Sequence, residues 1–550
     1  MSDKILKVAP SDNVIVALRD FIAGEKIAFA GSQLQLLENI PTKHKLAALD
    51  FDAGETIVMY GVPVGKAVKP IPAGTRISTE NVTHAAAKYE VGERRLTWRK
   101  PDMGDFENRT FNGFHRKDGK VGTRNHWLVI PLVFCENRNI EVIKSAMLEK
   151  LGYAAEREFS LDVDQLIRKY QEGKSGEAIL GSEILKTSAE IQRNRLFPNV
   201  DGIKFLTHDG GCGGIRQDSE TLCRLLAGYI THPNVAGATI LSLGCQNAQF
   251  KLLEDALAAA DPNFGKPLFI LEQQQSKSER HFIAEAVKKT FVGLMEANKS
   301  TRQPAPISHL TLGLECGGSD GFSGISANPA LGYTSDLLVA LGGKTILSEF
   351  PELNGVEQEM INRCTTEANA QKFADIMHTY ARRAEEVGSG FDMNPSPGNI
   401  KDGLITDAMK SAGAAKKGGE SPVVDVLDYT EQATLPGLNL LCTPGNDVES
   451  TTGLAGSGAN LIVFTTGLGT PTGNPITPVI KMSSNTALAQ RMGDLIDINA
   501  GTIISGEDTI ISKGEELLDL LIRVASGETT TMAERLGQDD FIPWKRGVSL

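Results

Sequence analysis

Leu314-Glu315-Cys316-Gly317-Gly318-Ser319-Asp320-Gly321-Phe322-Ser323-Gly324-Ile325-Ser326-Ala327-Asn328-Pro329 is the stretch on which the fold turns. The apolar run before it, His309-Leu310-Thr311-Leu312-Gly313-Leu314, has the length and character of a buried strand. The residues after it predict a helix, with Asn328 as N-cap, Pro329 in the first position and Gly342 as the stop. Leu331, Leu337, Leu338 and Leu341 would face inward. Between strand and helix lies a loop with four glycines, a thiol, hydroxyls and two carboxylates. Glycine lets backbone approach a ligand closely, and exposed N–H groups suit an anion. That density points to a functional site more than to an elaborate turn.

Strand, polar loop and helix then recur in both directions. Downstream, Lys344-Thr345-Ile346-Leu347-Ser348 ends in Glu349-Phe350-Pro351-Glu352, and Leu461-Ile462-Val463-Phe464-Thr465 ends in Thr466-Gly467-Leu468-Gly469. Upstream, the 203–207 run ends in His208-Asp209-Gly210-Gly211-Cys212, the 238–243 run in Gly244-Cys245-Gln246, and the 267–271 run in Glu272-Gln273. This alternation predicts α/β units with largely parallel sheets, whose ligands gather beyond the carboxyl ends of the strands. A right-handed crossover from 310–314 to 344–348 would put Glu349 and the 315–320 loop at one sheet edge. Basic residues beside glycine at Val121-Gly122-Thr123-Arg124-Asn125 suit a carboxylate, with Arg124 able to make a paired contact.

The first 85 residues read differently. Phe21-Ile22-Ala23-Gly24-Glu25, Phe51-Asp52-Ala53-Gly54-Glu55 and Ile71-Pro72-Ala73-Gly74-Thr75 repeat one pattern of short hairpins with glycine at a positive-φ turn. The expected organisation is a small β domain over 1–85, a linker or packing arm over 86–109, and an α/β unit over 110–300. That unit carries a helical insertion near 153–195, and a second α/β unit fills 301–550. A chain of 550 residues has room for such a set. A net charge of −12 argues against nucleic-acid or anionic-membrane surfaces. No apolar run would span a bilayer and no secretory signal is visible. Seven thinly spread cysteines suggest reduced thiols in the cytoplasm.

Taken together, Val121-Gly122-Thr123-Arg124-Asn125, His208 with Cys212, Leu243-Gly244-Cys245, Glu315-Cys316-Gly317-Gly318-Ser319-Asp320, Ser326-Ala327-Asn328-Pro329, Pro395-Ser396-Pro397-Gly398-Asn399 and Phe464-Thr465-Thr466-Gly467 resemble the altronate/galactarate dehydratase family. Residues 1–85 resemble its β-clip domain, called SAF. Glu349-Phe350-Pro351-Glu352 and Pro444-Gly445-Asn446-Asp447 look closer to altronate than to galactarate dehydratases. Two family patterns are altered: His-Thr-Tyr-Gly-Cys reads His208-Asp209-Gly210-Gly211-Cys212, and Gly-Arg-Gly-Thr-Pro-Tyr-Gly reads Gly467-Leu468-Gly469-Thr470-Pro471-Thr472-Gly473.

The resemblance implies a hydro-lyase turning D-altronate into 2-dehydro-3-deoxy-D-gluconate, with a divalent metal, iron(II) or alternatively manganese. A galactarate dehydratase and a silent sugar-acid-binding homologue are the alternatives. Such chemistry removes a proton beside a carboxylate and expels the neighbouring hydroxyl, so it needs a base, an acid and a positive clamp. The metal candidates are His208, Cys212, Cys245, Glu315 and Asp320, with His44 from the β domain. Glu349 is the candidate base and His208 its alternative. Ser319, Asn328 and Thr466 are candidates for sugar hydroxyls, and Arg124 and Lys481 for the substrate carboxylate. An iron–sulfur hydro-lyase using Cys212, Cys245 and Cys316 is a rival reading, which no compact Cys-x-x-Cys motif supports. The oligomeric state is left open.

Overall fold

In the computed structural model, which describes residues 4–92, 94–154, 159–187 and 194–547, the three Ala-Gly turns close in the same way. Gly24, Gly54 and Gly74 have φ of 88°, 90° and 82°, a region that costs other residues about 1–2 kcal/mol. At the first two turns the following glutamate folds back, Glu25 accepting from the Ile22 N–H and Glu55 from the Asp52 N–H, both at 2.8 Å. The repeat builds small antiparallel sheets around buried Val14, Ile15, Val16, Phe51, Ile57 and Val64.

Residues after this domain form an arm laid along the C-terminal unit. The Glu90 N–H donates to Gln358 and the Arg95 N–H to the Asn362 carbonyl, both at 2.9 Å.

The middle unit holds a four-stranded, all-parallel sheet in the order Gly202–Phe205, His126–Pro131, Val235–Ser242, Leu268–Glu272. Helices Asn137–Met147, Arg216–Thr231, Phe250–Ala260 and Glu279–Ala297 flank it. The expected helical insertion over 153–195 lies partly outside the described residues. Its described part is mixed: helices Val163–Gln171 and Gly176–Leu180 sit between paired strands Phe159–Leu161 and Leu185–Thr187. Phe159-Ser160-Leu161 alternates with the strand period, and Gly173 and Gly181 interrupt the helices.

The C-terminal unit is built on seven parallel strands in the order Val423–Leu427, Gly437–Leu441, Lys344–Leu347, Thr311–Cys316, Leu461–Thr466, Val479–Ser483, Ile498–Asn499. The earliest strand in sequence therefore sits in the middle. The chain leaves Thr311–Cys316 toward Lys344–Leu347 on one side and later fills the other side from Leu461–Thr466 outward, which makes the boundary between Thr311–Cys316 and Leu461–Thr466 a topological switch point. Helix Ala327–Ala340 follows, starting one residue before the expected cap. Ser326 stands at the N-cap, and Asn328 lies inside the first turn because its side chain is drawn across to Thr465 and Gly413. Gly342, at φ 85°, ends the helix region as expected.

The two α/β units are knitted by buried amides. Asn234 Nδ2 donates to the Ile476 carbonyl at 2.8 Å, and Asn460 Nδ2 to the Val121 carbonyl at 3.3 Å. Thr123 Oγ1 donates to the Asn460 carbonyl at 2.8 Å. No helix among the described residues is long and apolar enough to cross a membrane.

Candidate active site

Glu315 and Cys316 are the last two residues of the central strand, so parallel pairing carries them to the same edge as Glu349, two residues beyond the neighbouring strand. Glu349 has φ 65° and ψ 68°, left-handed backbone that a side-chain-bearing residue occupies only when its surroundings hold it there. Here the Glu349 N–H donates to Thr443 Oγ1 at 2.9 Å. Glu352 completes the group from the short turn that follows.

The cluster is buried and polar. Ser348 and Ser450 donate to one oxygen of Glu315 at 2.7 and 2.6 Å. The other oxygen of Glu315 and one oxygen of Glu349 have no hydrogen-bond partner. Lys417 Nζ lies 2.8 Å from Cys316 Sγ and 3.6 Å from Glu349. Lys410 Nζ pairs with Glu352 at 2.5 Å. Cys316, Glu349 and Glu352 each place a ligand atom within 4.8 Å of the other two.

Packing three carboxyls out of water sets their protonation. Burial pushes Glu315 up to about 7, with Lys417 opposing. Burial, reinforced by Glu315 and Glu352, drives Glu349 well above the carboxylate range. Burial would also raise Glu352, but Lys410 and Lys417 outweigh it and hold that group at about 2. Cys316 is raised by burial to about 11.

The glycine loop shapes this site through Asp320. One oxygen of Asp320 accepts from the Phe322 and Ser323 N–H groups and from the Ser323 and Ser484 hydroxyls, at 2.7–3.1 Å. The other accepts from Asn485 and pairs with Lys43 of the β domain, both at 3.0 Å. A Cβ on Gly467 would stand 2.3 Å from the Asp320 carboxyl carbon, so the two strand-end loops meet here only because that residue is glycine. Lys43 also reaches Asp402 at 3.1 Å, and Lys45 donates to the Gly403 carbonyl at 2.7 Å. The β domain thus caps the loop cluster with the Lys43 ammonium group, while burial lowers Lys45 to about 7.

Other expected site residues fall elsewhere. His208 is saturated: Nε2 bonds the Pro131 carbonyl at 2.7 Å and Nδ1 accepts from the Gly210 N–H, so it braces its loop and offers no lone pair to a metal or a proton. Cys212 and Cys245 are exposed in the middle unit. Arg124 forms a two-pronged pair with Glu534 at 2.7 and 3.0 Å and donates to two carbonyls, clamping the middle unit to the C-terminal segment. Lys481 is engaged by Gln538 and lies in a strand rather than at its end. Asn328 spends both amide atoms on Thr465 and Gly413, Thr466 Oγ1 accepts from the Gly469 N–H, and the Ser319 carbonyl accepts from Asn399. Asp320 is filled by its own loop, as described. His44 bonds the Lys401 carbonyl through Nε2 at 3.0 Å, leaving Nδ1 buried and unpartnered between the domains. Lys410, Lys417, Ser348, Thr443 and Ser450 were not foreseen; a charged pair such as Lys416-Lys417 inside a run of alanine and glycine was the available signal.

Comparison with known proteins covers the chain in three parts. The altronate/galactarate dehydratase SAF domain matches residues 3–85, the D-galactarate dehydratase/altronate hydrolase second domain 113–298, and the D-galactarate/altronate dehydratase C-terminal region 307–549. Altronate dehydratases of Bacillus subtilis (strain 168) and Escherichia coli (strain K12) are each 32% identical, over 99% of this chain and 99% of their own. The galactarate dehydratase (L-threo-forming) of Escherichia coli (strain K12) is 32% identical over 97% of this chain and 94% of its own. The chain belongs to the altronate/galactarate dehydratase family, whose reaction, the elimination of water, makes it a carbon–oxygen lyase.

Proposed function

We propose that the chain dehydrates a six-carbon sugar acid in the cytoplasm, with D-altronate the substrate and 2-dehydro-3-deoxy-D-gluconate the product. The observation that supports this most is the buried cluster of Glu315, Glu349 and Glu352 against Lys410 and Lys417, at the switch point of the parallel sheet. Full-length likeness to two altronate dehydratases supports the choice of altronate.

A divalent cation fits the donor set. Two carboxylate oxygens in the cluster lack partners, and Cys316, Glu349 and Glu352 can each turn one atom to a common point. Mixed sulfur and oxygen donors suit iron(II) or manganese better than magnesium. Bound there, the ion would act as a Lewis acid toward the substrate carboxylate. The chain's own groups do the rest. Glu315 takes the α-proton: one oxygen is fixed by Ser348 and Ser450, the other is unpartnered, and a group titrating near 7 is matched to the task. Lys410 and Lys417 neutralise the negative charge that develops on the enediolate and the departing hydroxyl. Lys43 adds positive charge from the β-domain side.

A panel of aldonates and aldarates, incubated anaerobically with added iron(II) or manganese and scored for 2-keto-3-deoxy acid, tests the reading. Altronate is expected to give the highest kcat/KM. Turnover of galactarate without altronate would overturn the substrate. Binding without any keto-acid product would favour the silent homologue, which the Gly210 and Leu468 departures from the family pattern make the second reading.

A further inference from the structure

The left-handed backbone of Glu349 is wired to Glu315. The Glu349 N–H donates to Thr443 Oγ1 at 2.9 Å, Thr443 Oγ1 lies 3.0 Å from Ser450 Oγ, and Ser450 Oγ donates to Glu315 Oε2 at 2.6 Å. Separate stretches of chain supply the links. Glu349 follows strand Lys344–Leu347, Thr443 follows the adjacent strand Gly437–Leu441, and Ser450 lies on helix Asp447–Gly456. Thr443 and Ser450 are both 0% exposed, so bulk water does not compete for these bonds.

The line of bonds can run only one way. An amide N–H only donates, and a hydroxyl carries a single hydrogen. Thr443 Oγ1 therefore accepts from Glu349 and gives its hydrogen to Ser450, whose own hydrogen goes to Glu315. Run backwards, the line would strand the Thr443 hydrogen, because among the described residues Thr443 Oγ1 bonds only Glu349 and Ser450. Ser348 donates to the same Oε2 at 2.7 Å, which fills that oxygen, and Oε1 is the one without a partner. The Thr443 methyl group holds the hydroxyl in place. A Cβ on Gly453 would stand 2.9 Å from Thr443 Cγ2, so the methyl lies on the bare face that glycine gives the helix. A β-branched side chain has few staggered positions, and seating the methyl leaves the hydroxyl aimed at Glu349 and Ser450.

We propose that Thr443 is a positioning residue for the elimination: its hydroxyl sets the direction of the line, keeps Oε2 of Glu315 occupied, and leaves Oε1 as the atom that receives the substrate proton. The proposal rests on the reading of Glu315 as the base. In that step the α-C–H bond breaks, the Oε1–H bond forms, and the electron pair passes into the enediolate. Thr443 acts only through Ser450 and Glu315. The left-handed backbone at Glu349 turns the N–H that starts the line toward Thr443.

Kinetics of full-length Thr443→Val and Thr443→Ser, alone and combined with Glu315→Gln, test this alongside hydrogen exchange at the Glu349 amide read by mass spectrometry. Valine keeps the shape and removes the hydroxyl, whereas serine keeps the hydroxyl and removes the methyl. Thr443→Val is expected to lower kcat about 10–100-fold, with KM within about twofold of wild type. Thr443→Ser should recover kcat to within about threefold of wild type. In the Glu315→Gln background Thr443→Val should add less than about twofold, because nothing remains for it to position. The Glu349 amide should exchange about tenfold faster in Thr443→Val and near the wild-type rate in Thr443→Ser. Ser450→Ala breaks the same line nearer to Glu315, should match the kcat of Thr443→Val, and answers for it if the valine variant does not fold. Equal losses in the serine and valine variants would assign the effect to packing and overturn the proposal. So would losses that multiply in the double variant, or wild-type kcat in Ser450→Ala. Unaltered Glu349 exchange in Thr443→Val would overturn the line of bonds itself, and that measurement needs no turnover. A wild type that makes no keto acid from any aldonate or aldarate therefore overturns the reading of function, while amide exchange still decides the line.

Discussion

Glu315 concentrates the chemistry in one side chain. Its two hydroxyl donors hold it in place whether or not it carries a charge, and burial moves its protonation into the neutral range. Glu315→Gln keeps the shape and leaves an amide oxygen to accept from Ser348 and Ser450. The fold should therefore survive with melting within a few degrees of wild type, while kcat falls about 10²–10⁴-fold and KM stays near its original value. A variant within about tenfold of wild-type kcat would show that another group moves the proton. The residue scale is also where sequence reading reached least. Lys416 and Lys417 are indistinguishable as letters, yet Lys417 is 1% exposed and faces the carboxyl cluster while its neighbour is partly solvated. Arg124 looked like a carboxylate clamp and is one, but the carboxylate is Glu534, 410 residues away along the chain. No local pattern encodes a partner at that separation.

Elements were easier to read, because strand ends carry their own punctuation. The 311–316, 344–347 and 461–466 strands and the loops after them follow from apolar runs that stop at glycine or acid. The crossover that joins Glu349 to the 315–320 loop follows from the handedness of parallel connections. Contacts between elements of different units were not legible, and Gly228 illustrates one. It lies within helix Arg216–Thr231, where alanine would ordinarily gain about 1 kcal/mol. A Cβ there would stand 2.2 Å from the Gly456 carbonyl of helix Asp447–Gly456. Backbone cannot yield as a side-chain tip can, so the clash outweighs the propensity. Gly228→Ala should destabilise the protein by about 1–3 kcal/mol in urea unfolding. An unchanged or raised midpoint would mean the two helices are free to separate.

At the scale of the whole molecule, a histidine ties the two α/β units together in its neutral form. His232 bonds the Ala459 carbonyl of the C-terminal unit at 3.0 Å through Nε2, while Nδ1 accepts from the Asn234 N–H. Burial, helped by Lys266, depresses it from 6.5 to about 3. Between those values the unfolded chain binds the extra proton, so stability is fully present above about 6.5 and falls as pH drops toward 3. At pH 5 this one group costs about 2 kcal/mol. Melting of wild type should thus fall more steeply from pH 7.5 to 5 than melting of His232→Gln, and parallel slopes would exclude His232 as the cause. The order of the seven-stranded sheet carries a consequence in time. Thr311–Cys316 is made first among its strands, yet one of its flanking strands, Leu461–Thr466, is made some 150 residues later. Ser450, which fixes Glu315, also comes late. During synthesis the central strand must therefore wait, with an open edge and a carboxylate lacking its partners, until most of the last unit has left the ribosome. Such non-local pairing is slow to form and prone to wrong association in the interval. The placement that brings two loops together at the site keeps the site incomplete long after its first strand exists.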